Sequence, residues 1–417
     1  MKKIEPYKLY IGLIFFNSLF FSMIFVVASF YEATVAGLSG LQLVLVGTTL
    51  EVVILLFEIP TGIVADAYSR RLSIIIGYAI MGLAFVIEGL FPYFGTILLA
   101  SGLWGLGYTF TSGATQAWLS DEIGEAQANR AFLRANQFDL GGALLGMLIA
   151  IPLGNLAVNL PILSGGIAVA AIAPLLAIWM PETGFHPVRR EDRNTWQHMG
   201  DILKKGLAAV RARPPLLAIL GVGLIYGLYS EGWDRLWVKY LVDNFSIPSL
   251  FGMNAVAFFG VLRASGMVLS ILVTRSVEKR LDANHAPSVA RAMMGITALL
   301  ALAIFIFANS PLLALSIGAV WLVTITRNVM GPLYDAWVNQ RLDSDTRATV
   351  ISMSGQVDAI GQIASGPLAG VVSLWSVRAA ITFASLLITP ALPLIARANR
   401  LHAEGLESEK LAAEAES

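Results

Sequence analysis

The sequence predicts an all-α integral membrane protein with twelve transmembrane helices arranged as two six-helix bundles. Three observations support this fold class. The chain has 417 residues, of which 56% are hydrophobic and 13% charged, and its mean hydropathy is +0.71. Charged residues make up about a quarter of a soluble domain, so this composition indicates a membrane protein. The apolar residues also fall into span-length segments, and the two halves of the chain share a weak internal repeat.

Twelve apolar segments are long enough to cross the hydrocarbon core, which requires about 20 helical residues. The first follows the N-terminal residues MKKIEPYKLY. It is longer than the core of a signal peptide, about 7–15 residues, and we expect it to be retained as a span. The predicted spans are approximately 8–31, 41–63, 72–92, 95–118, 131–155, 161–180, 215–238, 250–274, 290–308, 311–337, 348–372 and 377–396.

The distribution of basic residues predicts the orientation of these spans. Lysine and arginine are concentrated at the N-terminus, in the C-terminal tail and in the loops that follow even-numbered spans. The loops of the other side contain little more than Lys239 and Arg378. Because basic residues favour the cytoplasmic side, we expect both termini in the cytoplasm and the chain in a bacterial inner membrane.

An internal repeat divides the chain into two halves. Ala117-Trp118 recurs as Ala336-Trp337, and Gln137-Phe138-Asp139 recurs at the same spacing as Gln356-Val357-Asp358. Two six-helix units in parallel orientation account for one common spacing, and chance matching of common residues is the alternative. The expected domains are an N-terminal bundle at 1–180, a cytoplasmic linker at 181–214, a C-terminal bundle at 215–400 and a polar tail at 401–417.

Several functional classes lack their characteristic residues in this sequence. There is no cysteine, which excludes disulfides, thiolate metal sites and cysteine nucleophiles, and the four histidines have no metal-ligand spacing. No phosphate-binding loop, zinc-protease or serine-hydrolase motif is present. The formal net charge is zero, so no overall field favours nucleic acid. We therefore expect neither an enzyme nor a cofactor, metal or nucleic-acid partner.

The stretch FEIPTGIVADAYSRR, residues 57–71, combines acid, helix breaker and base at the end of the second span. It resembles the Gly-x-x-x-Asp-x-x-Gly-Arg-Arg/Lys loop of the major facilitator superfamily, with Ser69 in place of the second glycine. Together with SEGWDRLW at 230–237, it is similar to the drug:proton antiporter branch that includes macrolide and tetracycline exporters. The resemblance implies an inner conformational latch, with Gly62 allowing close helix approach. Its residues are Gly62, Asp66, Arg70, Arg71 and Asp121.

Within this latch the resemblance implies that Asp121, below the fourth span, is the partner of Arg70. The alternative is that Arg70 and Arg71 serve only as topology determinants.

Four ionisable residues lie deep within predicted spans 2, 5, 8 and 11, namely Glu51, Asp139, Arg263 and Asp358. A charge near the bilayer centre is costly and therefore suggests function. In the resembled fold these helices line the interface between the halves, so Asp139, Glu51 and Asp358 are the candidate proton carriers. Asp139 is predicted to exchange between Arg263 and a proton. The alternatives are a fixed pair of Asp139 with nearby Arg134, and a simple hydrogen bond of Asp358 to Gln362.

Candidate substrate-binding residues cluster on the seventh span. Aromatic rings beside a carboxylate suit lipophilic cations, whereas arginines suit an anionic group. Alternatively, Glu231 simply pairs with Arg235, Trp233 is an interfacial residue, and Arg327 neutralises Asp358. The substrate-binding candidates are Tyr226, Tyr229, Glu231, Trp233, Arg263 and Arg327.

These features predict a secondary active transporter that uses proton influx to expel amphipathic compounds by alternating access. A carrier for one anionic or lipid-like metabolite in the same fold is the alternative. Membrane-embedded enzymes and non-transporting scaffolds form different classes, but a scaffold would leave the intramembrane charges unexplained. The expected partners are an amphipathic small molecule, protons and the lipid bilayer, and we expect a monomer.

Overall fold

The computed structural model describes residues 3–187, 214–250, 252–281, 286–339 and 344–401. These residues form helices joined by loops, with one isolated β-bridge between Leu250 and Met253. The helices are α1 (Pro6–Thr34), α2 (Gly40–Ala67), α3 (Arg70–Leu90), α4 (Phe94–Thr111), α5 (Ala114–Ile123), α6 (Glu125–Leu156), α7 (Leu160–Trp179), α8 (Pro214–Asn244), α9 (Ala255–Arg280), α10 (Ala286–Asn309), α11 (Leu313–Asn339), α12 (Ser344–Trp375) and α13 (Val377–Leu387), and residues 391–401 are also helical.

The predicted all-helical membrane fold is confirmed. Eleven helices within the described ranges are long and apolar enough to cross a membrane. The fourth predicted span, 95–118, is divided into α4 and α5. Gly113 lies between them with φ of +70°, a backbone conformation that glycine adopts without steric cost.

Helix α6 begins at Glu125, earlier than the predicted start near residue 131. Its first turns, EAQANR, are polar, so hydropathy alone could not detect them. Gly124, with φ of +80°, separates α6 from α5 and fixes this start. The polar extension continues directly into the segment that contains Asp139, a predicted proton carrier.

The described residues fall into two compact units. The first contains those within Met1–Thr195 and Leu241–Ala264, and the second those within Trp196–Tyr240 and Ser265–Ser417. The segment 241–264 belongs to the first unit through contacts with α6, where the Asn254 side-chain amide donates to the carbonyl of Gly154 over 2.9 Å. The expected linker at 188–213 and tail at 402–417 lie outside the described residues, so the domain boundaries stay predictions.

Closely packed glycines organise equivalent helix pairs in the two units. A Cβ added at Gly142 of α6 would overlap the carbonyl oxygen of Phe15 and come within 3.2 Å of the Leu19 nitrogen on α1. A Cβ added at Gly361 of α12 would overlap the backbone of α8 in the same way. The backbone atoms that it meets there are the carbonyl oxygen of Leu224 and the nitrogen of Leu228.

The internal repeat is therefore present as matching helix contacts. Gly142 and Gly361 are separated by the same spacing as Ala117 and Ala336, here called the long repeat spacing. On α1 and α8, Phe15 corresponds to Leu224 and Leu19 to Leu228, and these two pairs share a slightly smaller spacing, here called the short repeat spacing.

Both contacts bring helix backbones together, so only glycine fits at these positions. The long repeat spacing relates α6 to α12, and the short repeat spacing relates α1 to α8. The two spacings align the rest of each unit and place Asp139 and Asp358 at equivalent positions.

Candidate transport site

An ion-pair cluster lies where α2 meets α3. The Nη1 atom of Arg70 is 2.8 Å from Oδ2 of Asp121, and its Nη2 atom is 3.8 Å from Oδ1 of Asp66. Arg71 Nη2 donates to the carbonyl oxygen of Ala177 at the end of α7. Arg70 thus contacts the carboxylate that the family resemblance implied, although its function as a latch stays a prediction.

A further acidic residue of this cluster, Glu182, is one that the sequence reasoning missed. One carboxylate oxygen of Glu182 accepts a hydrogen bond of 2.7 Å from the Ser69 hydroxyl, and the other accepts one of 2.9 Å from the Arg71 backbone N–H. Ser69 also caps α3 by accepting from the Leu72 N–H over 2.9 Å. Glu182 therefore places a negative charge at the N-terminus of α3, where the helix dipole favours it.

The loop that carries Glu182 is fixed by a second carboxylate. Glu122 accepts hydrogen bonds of 2.8 Å from both the Thr183 hydroxyl and the Gly184 backbone N–H. The signal in the sequence was the PETG stretch directly after the sixth span, which could have been interpreted as a docking segment.

Gly62 does not make the close helix contact expected of it. Outside Gly62, its chain neighbours and the adjoining backbone of α2, no heavy atom of the described residues lies within 4 Å of the position that its Cβ would occupy. The steric reason offered for a glycine at this position is therefore wrong for this structure. Glycines 142, 146, 227 and 361 make the close contacts instead.

The first unit contains a cavity of about 510 Å³, here called the first cavity. The side chains of Asp139 and Arg263 both line it, as the predicted exchange requires. Ser18 on α1 donates a 2.8 Å hydrogen bond to the backbone carbonyl of Asp139 and so ties this part of α6 to α1. The other polar and aromatic residues that line it include Asn17, Tyr78, Trp104, Tyr108 and Gln116.

Asp139 also lines an open groove of about 590 Å³ formed with Tyr10, Ile14 and the polar extension of α6. The alternative pairing of Asp139 with Arg134 is not present among the described residues. Asp139 therefore has access to space on two sides, the first cavity and this groove.

The second unit contains a cavity of about 460 Å³, here called the second cavity. Its most prominent feature is a bidentate ion pair between Arg327 of α11 and Asp234 of α8. The Nη2–Oδ2 distance is 2.9 Å, and Nη1 contacts Oδ1. The partner of Arg327 is thus Asp234, which had not been selected as a site residue, whereas the alternative considered was Asp358. Two parallel hydrogen bonds to a planar guanidinium make such pairs strong and well oriented.

Three tyrosines line the same cavity. Tyr226 lies edge-on to both Tyr229 and Tyr334, with ring centroids 6.4 Å and 6.1 Å apart. The Arg327 guanidinium carbon lies 5.9 Å from the centroid of the Tyr229 ring. Asp358 also lines the second cavity and accepts a 2.8 Å hydrogen bond from the Gln362 amide. The simple hydrogen bond considered for Asp358 is therefore present.

Glu231 and Trp233, two predicted substrate contacts, do not line the second cavity. Glu231 is 2% exposed, and its carboxylate lies 3.3 Å from Nε of Arg235, as the alternative of a local pair proposed. Trp233 stacks on Trp237 and packs edge-on against Phe307. Both residues belong to the packed interior of the unit.

Glu51, the third proton-carrier candidate, is half-buried on α2 and lines neither cavity.

The all-helical fold with membrane-spanning helices agrees with the family comparison. The family model described as Major Facilitator Superfamily matches residues 10–366. The chain belongs to the major facilitator superfamily. It is 26% identical over 342 residues to the uncharacterized MFS-type transporter YxaM of Bacillus subtilis (strain 168), and the match covers 80% of this chain and 81% of YxaM.

Solved structures show the same fold. The nucleoside transporter NupG matches with a TM-score of 0.74 and 14% identity, over 96% of this chain and 99% of NupG. A bacterial homolog of the human lysosomal transporter Spinster, in an inward-facing and unoccupied conformation, matches with a TM-score of 0.72 and 14% identity, over 96% of this chain and 98% of that chain. This major facilitator protein is therefore a multi-pass membrane transporter, and not an enzyme.

Proposed function

We propose that this transporter couples proton influx to the export of amphipathic compounds by alternating access, with both termini in the cytoplasm. The observation that carries this proposal is the presence of one titratable carboxylate at equivalent positions of two aromatic-lined cavities, Asp139 in the first and Asp358 in the second. A carboxylate that faces a cavity within the membrane can exchange a proton with water or with a basic partner.

The first cavity suits the coupling step. Asp139 and Arg263 line the same space, and Asp139 also borders the open groove on α6. We assign the proton to Asp139 while it is separated from Arg263, and the ion pair to the opposite state of the cycle. The proton and the substrate shift the equilibrium between these two states only if each binds one state more tightly than the other.

The export direction rests on the resemblance of FEIPTGIVADAYSRR and SEGWDRLW to the drug:proton antiporters. The contacts of Arg70 with Asp121 and Asp66 support the proposed latch. A second candidate function is a carrier for an anionic metabolite, and Arg263 and Arg327 favour it because each presents a guanidinium to a cavity.

The test is flux in proteoliposomes that contain the purified full-length chain. Tritiated tetraphenylphosphonium, an uncharged lipophile and an anionic lipophile are offered with and without an imposed proton gradient. We expect gradient-dependent accumulation of the cation, which the ionophore nigericin should abolish by collapsing the pH difference. Accumulation of the anion alone would favour the metabolite carrier, and flux that ignores the gradient would contradict proton coupling.

A further inference from the structure

The internal repeat shows that the second cavity carries charges where the first carries neutral side chains. The long repeat spacing aligns α4 and α5 with α11, and the short repeat spacing aligns α1 with α8. Both members of each aligned pair line their own cavity. The three pairs are Phe25 with Asp234, Tyr108 with Arg327, and Gln116 with Asp335.

The charges of the second cavity do not balance. Three carboxylates, Asp234, Asp335 and Asp358, line it against the single guanidinium of Arg327. Asp335 has neither an ion-pair partner nor a hydrogen-bond partner among the described residues. With all four groups ionised the cavity lining has a formal charge of −2, which attracts cations and repels anions.

One hydroxyl of this cavity has no hydrogen-bond partner among the described residues. It is that of Tyr229, whose side chain lines the cavity. The face of the Tyr229 ring already holds one cation, the Arg327 guanidinium, at 5.9 Å. Ring faces of this kind bind organic cations.

The ion pair itself is accessible from the cavity. The Arg327 side chain is 33% exposed and that of Asp234 is 41% exposed, so a bound molecule can contact either partner. A ligand cation near Asp234 gains from that carboxylate but is repelled by Arg327. The pair therefore sets the balance between cation and anion affinity, while Asp335 and Asp358 give the excess negative charge.

We propose that the second cavity binds the charged end of a lipophilic organic cation, and that the Asp234–Arg327 pair determines its preference for cations over anions. This inference rests on the proposed transport function, since it identifies the substrate class of that function. The tyrosines contact the apolar groups around the charge, and the hydroxyl of Tyr229 accepts from a substrate N–H where one is present.

The test uses two ions of almost identical shape and opposite charge, tetraphenylphosphonium and tetraphenylborate. Their binding to the purified full-length protein in detergent is measured at pH 7 by isothermal titration calorimetry. We expect the unaltered protein to prefer the cation by tenfold or more. Arg327→Gln should tighten cation binding about tenfold, and Asp234→Asn should weaken it about tenfold while it improves anion binding, because one unit charge near a ligand has an effect of this order.

The two variants break the same ion pair, so a purely structural role would weaken binding of both ions in both variants. Opposite shifts in ion preference distinguish the proposed role from misfolding. Asp243→Asn, the same chemical change at an exposed position of α8 outside the cavity, is the matched control and should leave both affinities within about twofold. Equal shifts of both variants, or no shift in either, would overturn the inference.

The binding test and the transport test can fail independently of each other. Cation-selective binding that responds to both variants, without any proton-driven flux, would refute the proposed coupling and leave the inference standing. Proton-driven flux of tetraphenylphosphonium that is indifferent to both variants would refute the inference and leave the coupling standing.

Discussion

The first and second cavities occupy equivalent places in the internal repeat but satisfy their polar groups differently. In the first, the Tyr78 hydroxyl donates to the Asn17 side chain over 3.2 Å. In the second, the hydroxyls of Tyr226 and Thr297 form a hydrogen bond of 2.9 Å. Tyr78 is equivalent to Thr297, and Asn17 is equivalent to Tyr226. The hydrogen bond thus joins equivalent positions in the two units, but the tyrosine lies on α3 in the first unit and on α8 in the second. The repeat thus retains positions of contact rather than residue types.

The charges show the larger difference. In the first cavity, one acid and one base come from separate helices, α6 and α9, around open space. In the second, Arg327 forms an ion pair with Asp234, and Asp358 accepts a hydrogen bond from Gln362. We infer a division of roles between the two units, in which the first contributes the carboxylate that couples transport to the proton and the second contributes the charges that select the ligand. Three experiments test this comparison, and a fourth tests the ion-pair cluster of the first unit.

The largest expected effect is on coupling. Asp139→Asn should reduce proton-driven accumulation of tetraphenylphosphonium more than tenfold and leave downhill exchange measurable, because the amide keeps the shape and hydrogen bonding but removes the titratable charge. Asp358→Asn, at the equivalent position, should mainly lower affinity. Flux in proteoliposomes with and without a gradient separates the two effects. Full gradient-driven transport by Asp139→Asn, with loss in Asp358→Asn or Glu51→Gln, would place the proton path elsewhere.

The next effect is on stability and tests whether the two units are built alike. Gly142→Ala and Gly361→Ala should each lower the free energy of unfolding by about 1–3 kcal/mol, because the new methyl group overlaps backbone of the facing helix. Thermal unfolding in detergent reports the change as a lower Tm. Gly62→Ala is the control and should stay within about 0.5 kcal/mol. A costly change at Gly142 with a neutral one at Gly361 would break the structural equivalence.

A smaller effect is expected from the hydrogen bond that both cavities contain. Tyr78→Phe and Tyr226→Phe should each lower the free energy of unfolding by about 1 kcal/mol, the usual net contribution of one hydrogen bond. Tyr93→Phe, at an exposed loop position, serves as the control. If only one of the two variants lowers the Tm, the bond contributes to stability in one cavity alone.

The smallest effect concerns the ion-pair cluster where α2 meets α3. Burial raises the pKa of Asp121 above its ordinary value, and the Arg70 guanidinium opposes this shift. The folded state therefore holds the Asp121 proton more tightly than the unfolded state. Asp121 therefore stabilises the folded state fully at pH values below the pKa of its carboxyl in the unfolded chain, which is near 4. This stabilisation is lost as the pH rises through the pKa of the carboxyl in the folded state. Asp121→Asn should flatten this decline with a change below about 1 kcal/mol, as expected of a partly exposed ion pair. An unchanged slope of Tm against pH would contradict this assignment.

The sequence by itself determined the fold class, the approximate position of most spans and the long repeat spacing. These features can be predicted from sequence because a backbone group without a hydrogen bond is costly in the hydrocarbon of the bilayer. Each span must therefore be a long apolar helix, which hydropathy detects. The same reasoning singled out Glu51, Asp139, Arg263 and Asp358 as charges within spans. Asp139, Arg263 and Asp358 line a cavity and Glu51 lines neither, and the functions predicted for these residues stay predictions.

The tertiary structure alone decided which side chains meet. Arg327 pairs with Asp234, 93 positions away, and Glu182 caps α3 by binding Ser69, 113 positions away. Helical periodicity assigns a residue to a face but does not identify the partner opposite it. Glu231 has the spacing of a binding residue and also that of a local pair with Arg235, and only packing resolved the two. The polar first turns of α6 escaped hydropathy for a different reason, because they consist largely of good helix formers that carry no span signal.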